Sequence, residues 1–402
     1  MSFTGAETAA ARTAHRLLER AARDGWRGPD PYDGLAFDWP RILVGGKRRR
    51  QVLMQLHARA PVDIRRLYRS EHPLIAKTLG LFGSVAVRLD GNEVLEQDIA
   101  RQLGSDALAR LDRDRRAGSD AWGYPWDVQT RWGFYRAGSP NIVVTAFAGV
   151  ALVEAACAWE VPEWLQRARS AATWVQDALL DDRGCYVYHE GSTTLIHNAN
   201  LLGARLVYQA LGDTAAVLPA VERSLAGQAT DGSWPYGEGE RLEFVDNFHT
   251  AYVLECLCQL EELDVRIAEA VSRGAAAWLE QFFQPSGATT LWPRRRFPED
   301  GHATGSALSA LAALVERGHA SRDQLERATT YALAAMTDRG HAVVRRHRLG
   351  TTKLRYIRWC DGHLALGLAN ASRVLATKEP TIESEGLSAR GSSPLAALPI
   401  GR

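Results

Sequence analysis

The fold can be inferred from a pattern that is clearest in Gln228-Ala229-Thr230-Asp231-Gly232-Ser233-Trp234, followed downstream by Asp246-Asn247-Phe248-His249-Thr250. Its first part is a glycine-centred turn with an aromatic neighbour. Its second part is a polar cluster that opens a small-residue, apolar helix. The same two-part pattern occurs five times, and the steps from Asn141 to His197, His249, His302 and His363 are 56, 52, 53 and 61 residues. A period of this size predicts a supersecondary unit that is repeated along the chain.

Two kinds of helix alternate within the repeat. Helices of one kind are apolar on nearly every side, which predicts burial on every side; they cover 141–158, 198–211, 250–260, 304–315 and 364–375. Helices of the other kind have one charged side, at 162–180, 215–229, 266–283 and 322–336. We therefore predict an all-α fold, an (α/α) toroid of two concentric rings, with five clear units and a sixth supplied by the N-terminal helices. An open α-solenoid is the alternative.

The remaining segments suggest a division into three parts. Residues 5–23 form an amphipathic pattern, and helical patterns over about 51–59 and 62–80 follow a basic run at 47–50. We expect an N-terminal helical arm at 1–60, the toroid at 61–377 and a disordered tail at 378–402.

Composition excludes several classes of function. The chain has 402 residues, 46% of them hydrophobic, and a net charge of +1 with both signs interspersed, so it has no overall field that would recruit nucleic acid or an anionic membrane. We expect no transmembrane segment and no secretory signal. Five cysteines without a disulfide-like spacing predict reduced thiols and a cytoplasmic location.

Several motifs resemble known toroid families. The segment 228–234 is similar to the Gln/Trp repeat motif of terpene cyclases and protein prenyltransferases. Over most of 40–375 the chain resembles a bacterial prenyltransferase-like toroid family commonly labelled polysaccharide biosynthesis proteins; the matching segments are 61–66, 79–82, 122–127, 140–145, 197–201 and 246–250. This resemblance implies the toroid fold and a role in surface polysaccharide or related biosynthesis.

The chain departs from the prenyl-processing enzymes at their reactive motifs. The Asp-x-Asp-Asp acid motif of class II terpene cyclases is missing, and Asp112-Arg113-Asp114 is its nearest approach. Cys360, Asp361 and His363 match the zinc-ligand types of prenyltransferases but not their dispersed order. We therefore expect neither a metal nor a cofactor.

Equivalent positions in a closed ring lie at one end of the assembly, so the polar clusters predict a common site. His249 is the expected general acid or base, because Asp246 is near enough to fix its tautomer, and His197 offers a second imidazole. The alternative is that Asp, Asn and His here only cap helices or bind sugar hydroxyls.

Aromatic and cationic loop residues complete the predicted site. Trp faces can stack on sugar rings, although turn aromatics also plug a toroid rim. Arginine forks recognise carboxylates and phosphates, so we expect an anionic substrate, with Arg131 and Arg296 at the mouth of a cavity that Asp127, His197, Asp246, Asn247, His249, His302 and His363 line. The predicted substrate-binding residues are Trp126, Asp127, Arg131, Asn141, Asn198, Asn200, Trp234, Tyr236, Glu238, Asn247, Arg296, His302, Arg358, Asp361 and His363.

Three functions remain open at this point. The first is a carbohydrate-active enzyme with His/Asp acid–base chemistry, of the epimerase, lyase or hydrolase type, acting on an anionic saccharide or activated sugar. The second is an enzyme that binds or cyclises an isoprenoid diphosphate. The third is a non-catalytic scaffold that binds a saccharide or a protein. A cavity lined by His, Asn and Arg favours a sugar, whereas Phe and Leu favour an isoprenoid.

Overall fold

The computed structural model describes residues 5–37, 39–59, 63–67, 72–92, 95, 98–111, 119–130, 133–352 and 354–377, and helices make up most of it. The helices in these ranges are α1 (Ala6–Arg23), α2 (Arg41–Val44), α3 (Lys47–Arg59), α4 (Ala76–Leu89), α5 (Ile99–Ala109), α6 (Ile142–Trp159), α7 (Pro162–Leu179), α8 (His197–Leu211), α9 (Thr214–Ala226), α10 (Asn247–Leu260), α11 (Val265–Phe282), α12 (Gly301–Glu316), α13 (Arg322–Ala335) and α14 (His363–Ala376). One π-helical turn, Ile357–Gly362, precedes α14.

Six of these helices form a closed inner ring. The helices α4, α6, α8, α10, α12 and α14 contact each other in that order, and α14 closes the ring against α4. The helices α5, α7, α9, α11, α13 and α1 pack against them from outside, in the same order. The described chain is therefore an (α/α) toroid, as the alternation of two helix types predicts. The closing contact excludes an open solenoid.

The sixth unit joins the two ends of the described chain. Helix α1 packs mainly on α14, and its apolar side is buried there, with Ala10, Ala14 and Leu18 fully enclosed. The sequence-based division at residue 60 assigned α1 to a separate arm; its packing places it in the outer ring instead. The predicted tail at 378–402 lies outside the described residues.

Local signals set where the helices begin. Asn141 caps α6, because its side-chain oxygen accepts a hydrogen bond from the backbone N–H of Val144 (3.0 Å). Pro162 occupies the first turn of α7, where its missing N–H costs nothing. The inner helices, expected to begin near Asn141, Asn198, Phe248, Ala303 and Gly362, begin within two residues of those positions.

Helix α6 differs from one expectation. By length and composition Ile142–Trp159 is apolar enough to cross a membrane, whereas no such run was expected. In the toroid 78% of that helix is buried, against α4, α7 and α8. Its apolar character is therefore explained by its place in the inner ring.

The helix predicted over 62–80 is also corrected. Within the described part of that stretch, Ile64–Leu67 forms a short 3₁₀ helix and α4 begins only at Ala76. Pro73 disfavours helical backbone at the residue before it. Leu74 instead forms a β-bridge with Arg27.

Short antiparallel strands fix the loops that precede the inner helices. The strands are β1 (Val128–Gln129), β2 (Phe134–Tyr135), β3 (Glu299–Asp300), β4 (Thr337–Asp338), β5 (His341–Ala342), β6 (Arg345–His347) and β7 (Gly350–Thr351). They pair as β1–β2, β3–β6–β7 and β4–β5. Strand β3 runs directly into α12, with Glu299 opposite Arg346, so these loops gather at the N-terminal ends of the inner helices.

Candidate functional site

Each inner helix places two side chains, seven residues apart, towards the axis of the toroid. Seven residues are two helical turns, or about 10 Å along the helix. The first layer lies near the N-terminal ends and consists of Lys77, Phe147, Phe248, His302 and His363, whose side chains contact one another, with Asn198 at the equivalent register position of α8. The second layer lies deeper and consists of Ser84, Glu154, Arg205, Glu255, Ser309 and Asn370. Both layers contain one residue from each inner helix.

The second layer is a polar network that closes the axis. Its hydrogen bonds, with Arg88 added from α4, run from Arg205 to Glu255 (3.0 Å), Arg205 to Glu154 (3.4 Å), Arg88 to Glu154 (2.6 Å), Arg88 to Asn370 (3.0 Å) and Asn370 to Ser309 (3.1 Å). Ser84 also donates to Glu154 (2.6 Å). This chain of bonds reaches all six inner helices, so it forms a polar floor beneath the first layer.

Two imidazoles and one phenol form the centre of the first layer. The Tyr252 hydroxyl lies 2.6 Å from His302 Nε2 and 3.1 Å from His363 Nε2. The two imidazole rings stack with centroids 4.2 Å apart, and Trp359 meets His302 edge-on at 4.1 Å. The contacts between these three groups are explained when the Tyr252 hydroxyl donates to His302 Nε2 and His363 Nε2–H donates to the Tyr252 oxygen, which places the His302 proton on Nδ1.

Burial keeps these imidazoles neutral. Desolvation, followed by the positive charges of Lys77 and Arg358, lowers the pKa of His363 well below its usual value. Desolvation, the neighbouring His363 and the same two cations lower the pKa of His302 in the same direction. Each ring therefore carries one N–H and one lone pair, and can pass a proton without a net charge change.

A buried ion pair covers the axis from the N-terminal segment. Arg358, on the π-helical turn, donates from Nε and Nη2 to the two carboxylate oxygens of Asp30 (2.6 and 2.8 Å). Both side chains are at most 1% exposed. The Arg358 guanidinium also lies 5.2 Å from the Tyr124 ring and 5.3 Å from the Trp359 ring. Arg358, predicted to bind substrate, is therefore already engaged by a carboxylate of the same chain.

Asp246 and His249 form a dyad at the start of α10. Asp246 Oδ1 caps the helix by accepting from the His249 backbone N–H (3.0 Å), while Oδ2 accepts from His249 Nδ1 (2.7 Å). The His249 side chain is 21% exposed and Asp246 only 3%. Because Asp246 holds the proton on Nδ1, His249 Nε2 is left as the basic nitrogen. The expected geometry of the dyad is present; its catalytic role stays a prediction.

A narrow recess adjoins this dyad. Its lining comprises Asn198, Trp234, Pro235, Tyr236, Asp246, His249, Thr250 and Val253. Trp234 is held there because its Nε1–H donates to the Ser224 carbonyl (2.8 Å). The Tyr236 ring lies 4.4 Å from the His249 ring, and Asn198 Oδ1 is buried without a partner. Flat aromatic faces, an amide and an imidazole suit the apolar faces and hydroxyl edges of a sugar ring.

Three predicted site residues face away from the axis. His197 packs outwards on α9, beside Gly227, with its Nδ1 3.4 Å from Ser224 Oγ. Asn200 also binds α9, donating to the Ala220 carbonyl (2.7 Å), and Asn247 donates to the Thr290 carbonyl (2.7 Å). The prediction that His197 and Asn247 share a cavity with His249 is therefore wrong, because both lie between inner and outer helices.

The position of His197 predicts a pH-dependent stability. Burial lowers the pKa of His197 from 6.5 to about 4. Between these two pH values the imidazole is protonated in the unfolded chain and neutral in the folded chain. Stability is therefore lost as pH falls below 6.5, by about 3 kcal/mol at pH 4. We expect His197→Gln to remove this part of the pH dependence in urea unfolding measured from pH 7 to pH 4. Parallel curves for the variant and the wild type would contradict it.

The other predicted binding residues make hydrogen bonds or packing contacts within the rim of the toroid. Asn141 caps α6, Asp127 accepts from the Ala137 N–H (2.8 Å), Asp361 accepts from the Ala342 N–H (2.7 Å) and Glu238 pairs with Arg223 (2.5 Å). Trp126 is buried in a small second core with Met54, Ile75 and Val128. The structure does not bring these side chains to the recess, and the alternative of helix caps and rim plugs accounts for several of them.

The predicted mouth is only partly described. Arg296 is exposed, with its guanidinium 5.3 Å from the Phe297 ring. Arg131 lies outside the described residues. Among the described residues, no group of three His, Cys, Asp or Glu side chains is close enough to hold a metal ion. All five cysteines are free thiols.

Sequence reasoning missed Lys77, Tyr252 and Asp30. Lys77 carried a signal, since it is the single charge in the apolar run Ile75-Ala76-Lys77-Thr78-Leu79. Tyr252 lies one turn beyond Phe248 on an inner helix, which helical spacing alone could have placed at the axis. Asp30 gave no local signal, because its partner Arg358 is 328 residues away.

Comparison with known proteins shows the fold. No family profile matches the chain, and no curated protein matches its sequence. A cellobiose 2-epimerase of Bacillus thermoamylovorans superposes with a TM-score of 0.57 at 12% identity, over 73% of this chain and 86% of that one. An unsaturated glucuronyl hydrolase of a Bacillus species, responsible for glycosaminoglycan degradation, gives 0.60 at 13%, over 91% and 96%. An unsaturated glucuronyl hydrolase specific for heparin gives 0.60 at 14%, over 91% and 96%.

These structures are carbohydrate enzymes, and none of the three is a terpene cyclase or prenyltransferase. At 12–14% identity the likeness extends to architecture and not to individual site residues. The similarity covers nearly the whole length of the glucuronyl hydrolases, so the chain has a complete toroid of their kind. The fold of this chain is an (α/α) toroid.

Proposed function

We propose that this chain is a carbohydrate-active enzyme that performs acid–base chemistry on an anionic saccharide. The observation that carries this proposal is the Asp246–His249 dyad, whose basic nitrogen has no hydrogen-bond partner among the described residues and lies beside a recess lined by Trp234, Tyr236 and Asn198. A carboxylate-oriented imidazole is a general acid or base suited to neutral pH. The toroid fold, shared with saccharide enzymes, supports the substrate class by analogy.

Epimerisation, elimination and hydrolysis all suit this dyad. An epimerase removes a proton from a carbon and returns it to the other face. A lyase removes the proton and expels the leaving group, and a hydrolase activates water. The neutral His302–Tyr252–His363 relay, next to the recess through Phe248, offers a second route for the proton.

One experiment separates these reactions. The purified protein is incubated with uronate-containing oligosaccharides, sugar phosphates and their neutral counterparts in D₂O and in H₂¹⁸O. Deuterium on an inverted carbon indicates an epimerase, an unsaturated product a lyase, and ¹⁸O in the product a hydrolase. No conversion of any saccharide, together with binding, would favour the scaffold alternative and contradict enzymatic function.

An isoprenoid diphosphate is the second candidate, and the rings of Phe147, Phe248, Tyr252 and Trp359 at the axis favour it. The polar second layer opposes it, because an isoprenoid tail entering along the axis would meet Glu154, Arg205 and Glu255. Geranyl diphosphate in the same assay decides between the two. The resemblance to prenyltransferase-like proteins, a role in polysaccharide biosynthesis and a cytoplasmic location stay predictions.

A further inference from the structure

Lys77 is a buried amino group with no carboxylate partner among the described residues. Its side chain projects from the first turn of α4 and the residue is 2% exposed. Nζ lies 4.0 Å from the centroid of the Phe147 ring and 5.5 Å from that of Tyr252. Among the described residues it makes these aromatic contacts but no hydrogen bond or ion pair. A lone buried charge is costly, so its presence in an otherwise apolar run requires a reason.

The charges around Lys77 do not balance. Arg358 faces the same region, and Asp30, the one carboxylate among the described residues whose charge acts on Lys77, is engaged by Arg358 through both of its oxygens. His302 and His363 are neutral, and Tyr252 is held protonated because burial raises its pKa well above 10. Lys77 and Arg358 therefore share one carboxylate, and Arg358 already binds both of its oxygens. Burial, then the positive charge of Arg358, lowers the pKa of Lys77 well below 10.5.

One other donor in the same layer has no partner among the described residues. His302 Nδ1 is buried without a hydrogen bond, and it carries the proton when Nε2 accepts from Tyr252. Phe248 and Trp359, whose rings contact His302 at the edge of this region, are only half-buried.

We propose that Lys77 anchors an anion subsite at the toroid axis, which takes the carboxylate or phosphate group of an acidic saccharide. The inference rests on the proposed saccharide function and adds the residue that selects for charge. The Phe248 ring lies 4.0 Å from His249 and 4.5 Å from His302, so the subsite and the recess are neighbours on two sides of that ring. A sugar bound in the recess would direct its anionic group past Phe248 to Lys77.

The test compares binding of three probes: glucuronate, glucose 6-phosphate and glucose. Calorimetry on the wild type is expected to show a preference of about 10- to 100-fold for one of the anions over glucose, the effect of one hydrogen bond to a charged group. Lys77→Met keeps the length of the side chain without its charge and is expected to bind all three probes alike. Lys47→Met, at an exposed lysine of α3, is the matched control and should keep the preference.

A second measurement does not depend on any variant. NMR of ¹³C-labelled lysine in the wild type should show the pKa of Lys77 rising when the preferred anion binds, because the anion stabilises the ammonium form. Equal affinity for glucose and both anions in the wild type, an unchanged preference in Lys77→Met, or an unchanged Lys77 pKa would each overturn the proposal.

These results are independent of turnover. Anion selectivity that needs Lys77 in a protein that converts no saccharide would uphold the subsite and end the enzymatic proposal. Turnover of saccharides without any anion preference would uphold the enzymatic proposal and end the proposal of an anion subsite. Preference for glucuronate assigns the subsite to a uronate, and preference for glucose 6-phosphate assigns it to a phosphorylated sugar.

Discussion

Replacing His249 by glutamine is expected to lower kcat/KM by about 10²- to 10⁴-fold on the saccharide that the isotope assay identifies, which is the usual contribution of one general acid or base. Glutamine fills a similar space and can still donate a hydrogen bond, but it cannot take up a proton. Because the buried Asp246 Oδ2 loses the hydrogen bond from His249 Nδ1, we expect the free energy of unfolding to fall by about 1 to 3 kcal/mol, with the chain still folded. Steady-state kinetics and urea unfolding of the same preparations measure both effects.

Two further variants make this test specific. Asp246→Asn should also lower kcat/KM and shift its pH profile, because asparagine still caps α10 but no longer holds the proton on His249 Nδ1. His347→Gln, at an exposed histidine of β6, is the matched control and should leave turnover unchanged. If His249→Gln kept kcat/KM within a factor of about three of the wild type, the dyad would not be the acid–base group, and the relay of His302 and His363 would have to be tested in its place.

The fold could be predicted because its signals are local and repeated. The spacing of turns and helix openings fixes the unit, and the apolar composition of α6 or α12 marks an inner helix without knowledge of its neighbours. Closure of the ring was predicted as a sixth unit from the N-terminal helices, but the packing of α1 on α14 was not, since the two helices stand at opposite ends of the described chain. Residues between Pro73 and Ala76 escaped prediction because Leu74 pairs with the distant Arg27.

The candidate site could be predicted from the sequence only where its residues are close to each other along the chain. Asp246 and His249 are three residues apart, and the helix start that Asp246 caps brings them together. His197 and Asn247 were misplaced because one residue rotates a helix by about 100°, which turns a side chain from the axis to the outer ring. The axial positions are the adjacent Asn198 and Phe248. Their register follows from the steps of seven residues down to Arg205 and Glu255, a pattern that separates inner-facing from outer-facing residues.

The second layer links stability to the site above it. Glu154 accepts hydrogen bonds from Arg88, Arg205 and Ser84, and its side chain is 9% exposed. A polar floor of this kind limits how far a ligand can enter along the axis. If the Glu154 carboxylate is removed, Arg88 and Arg205 lose part of the negative charge that balances them. The stability of the layer therefore depends on the charge of this single residue.

Glu154→Gln is expected to lower the free energy of unfolding by about 3 kcal/mol at pH 7, because removing one partner of a buried ion pair leaves the other uncompensated. Although burial alone would raise it, Arg88, Arg205 and the Ser84 hydroxyl lower the pKa of Glu154 below 4.5 in the folded chain. Its stabilisation is therefore present above pH 4.5 and lost as pH falls through the folded pKa, so the difference between variant and wild type should narrow in acid. Glu316→Gln, at an exposed pair with Arg373, should cost less than about 1 kcal/mol. Urea unfolding that shows equal losses for the two variants would mean that the axial network contributes no more than a surface pair.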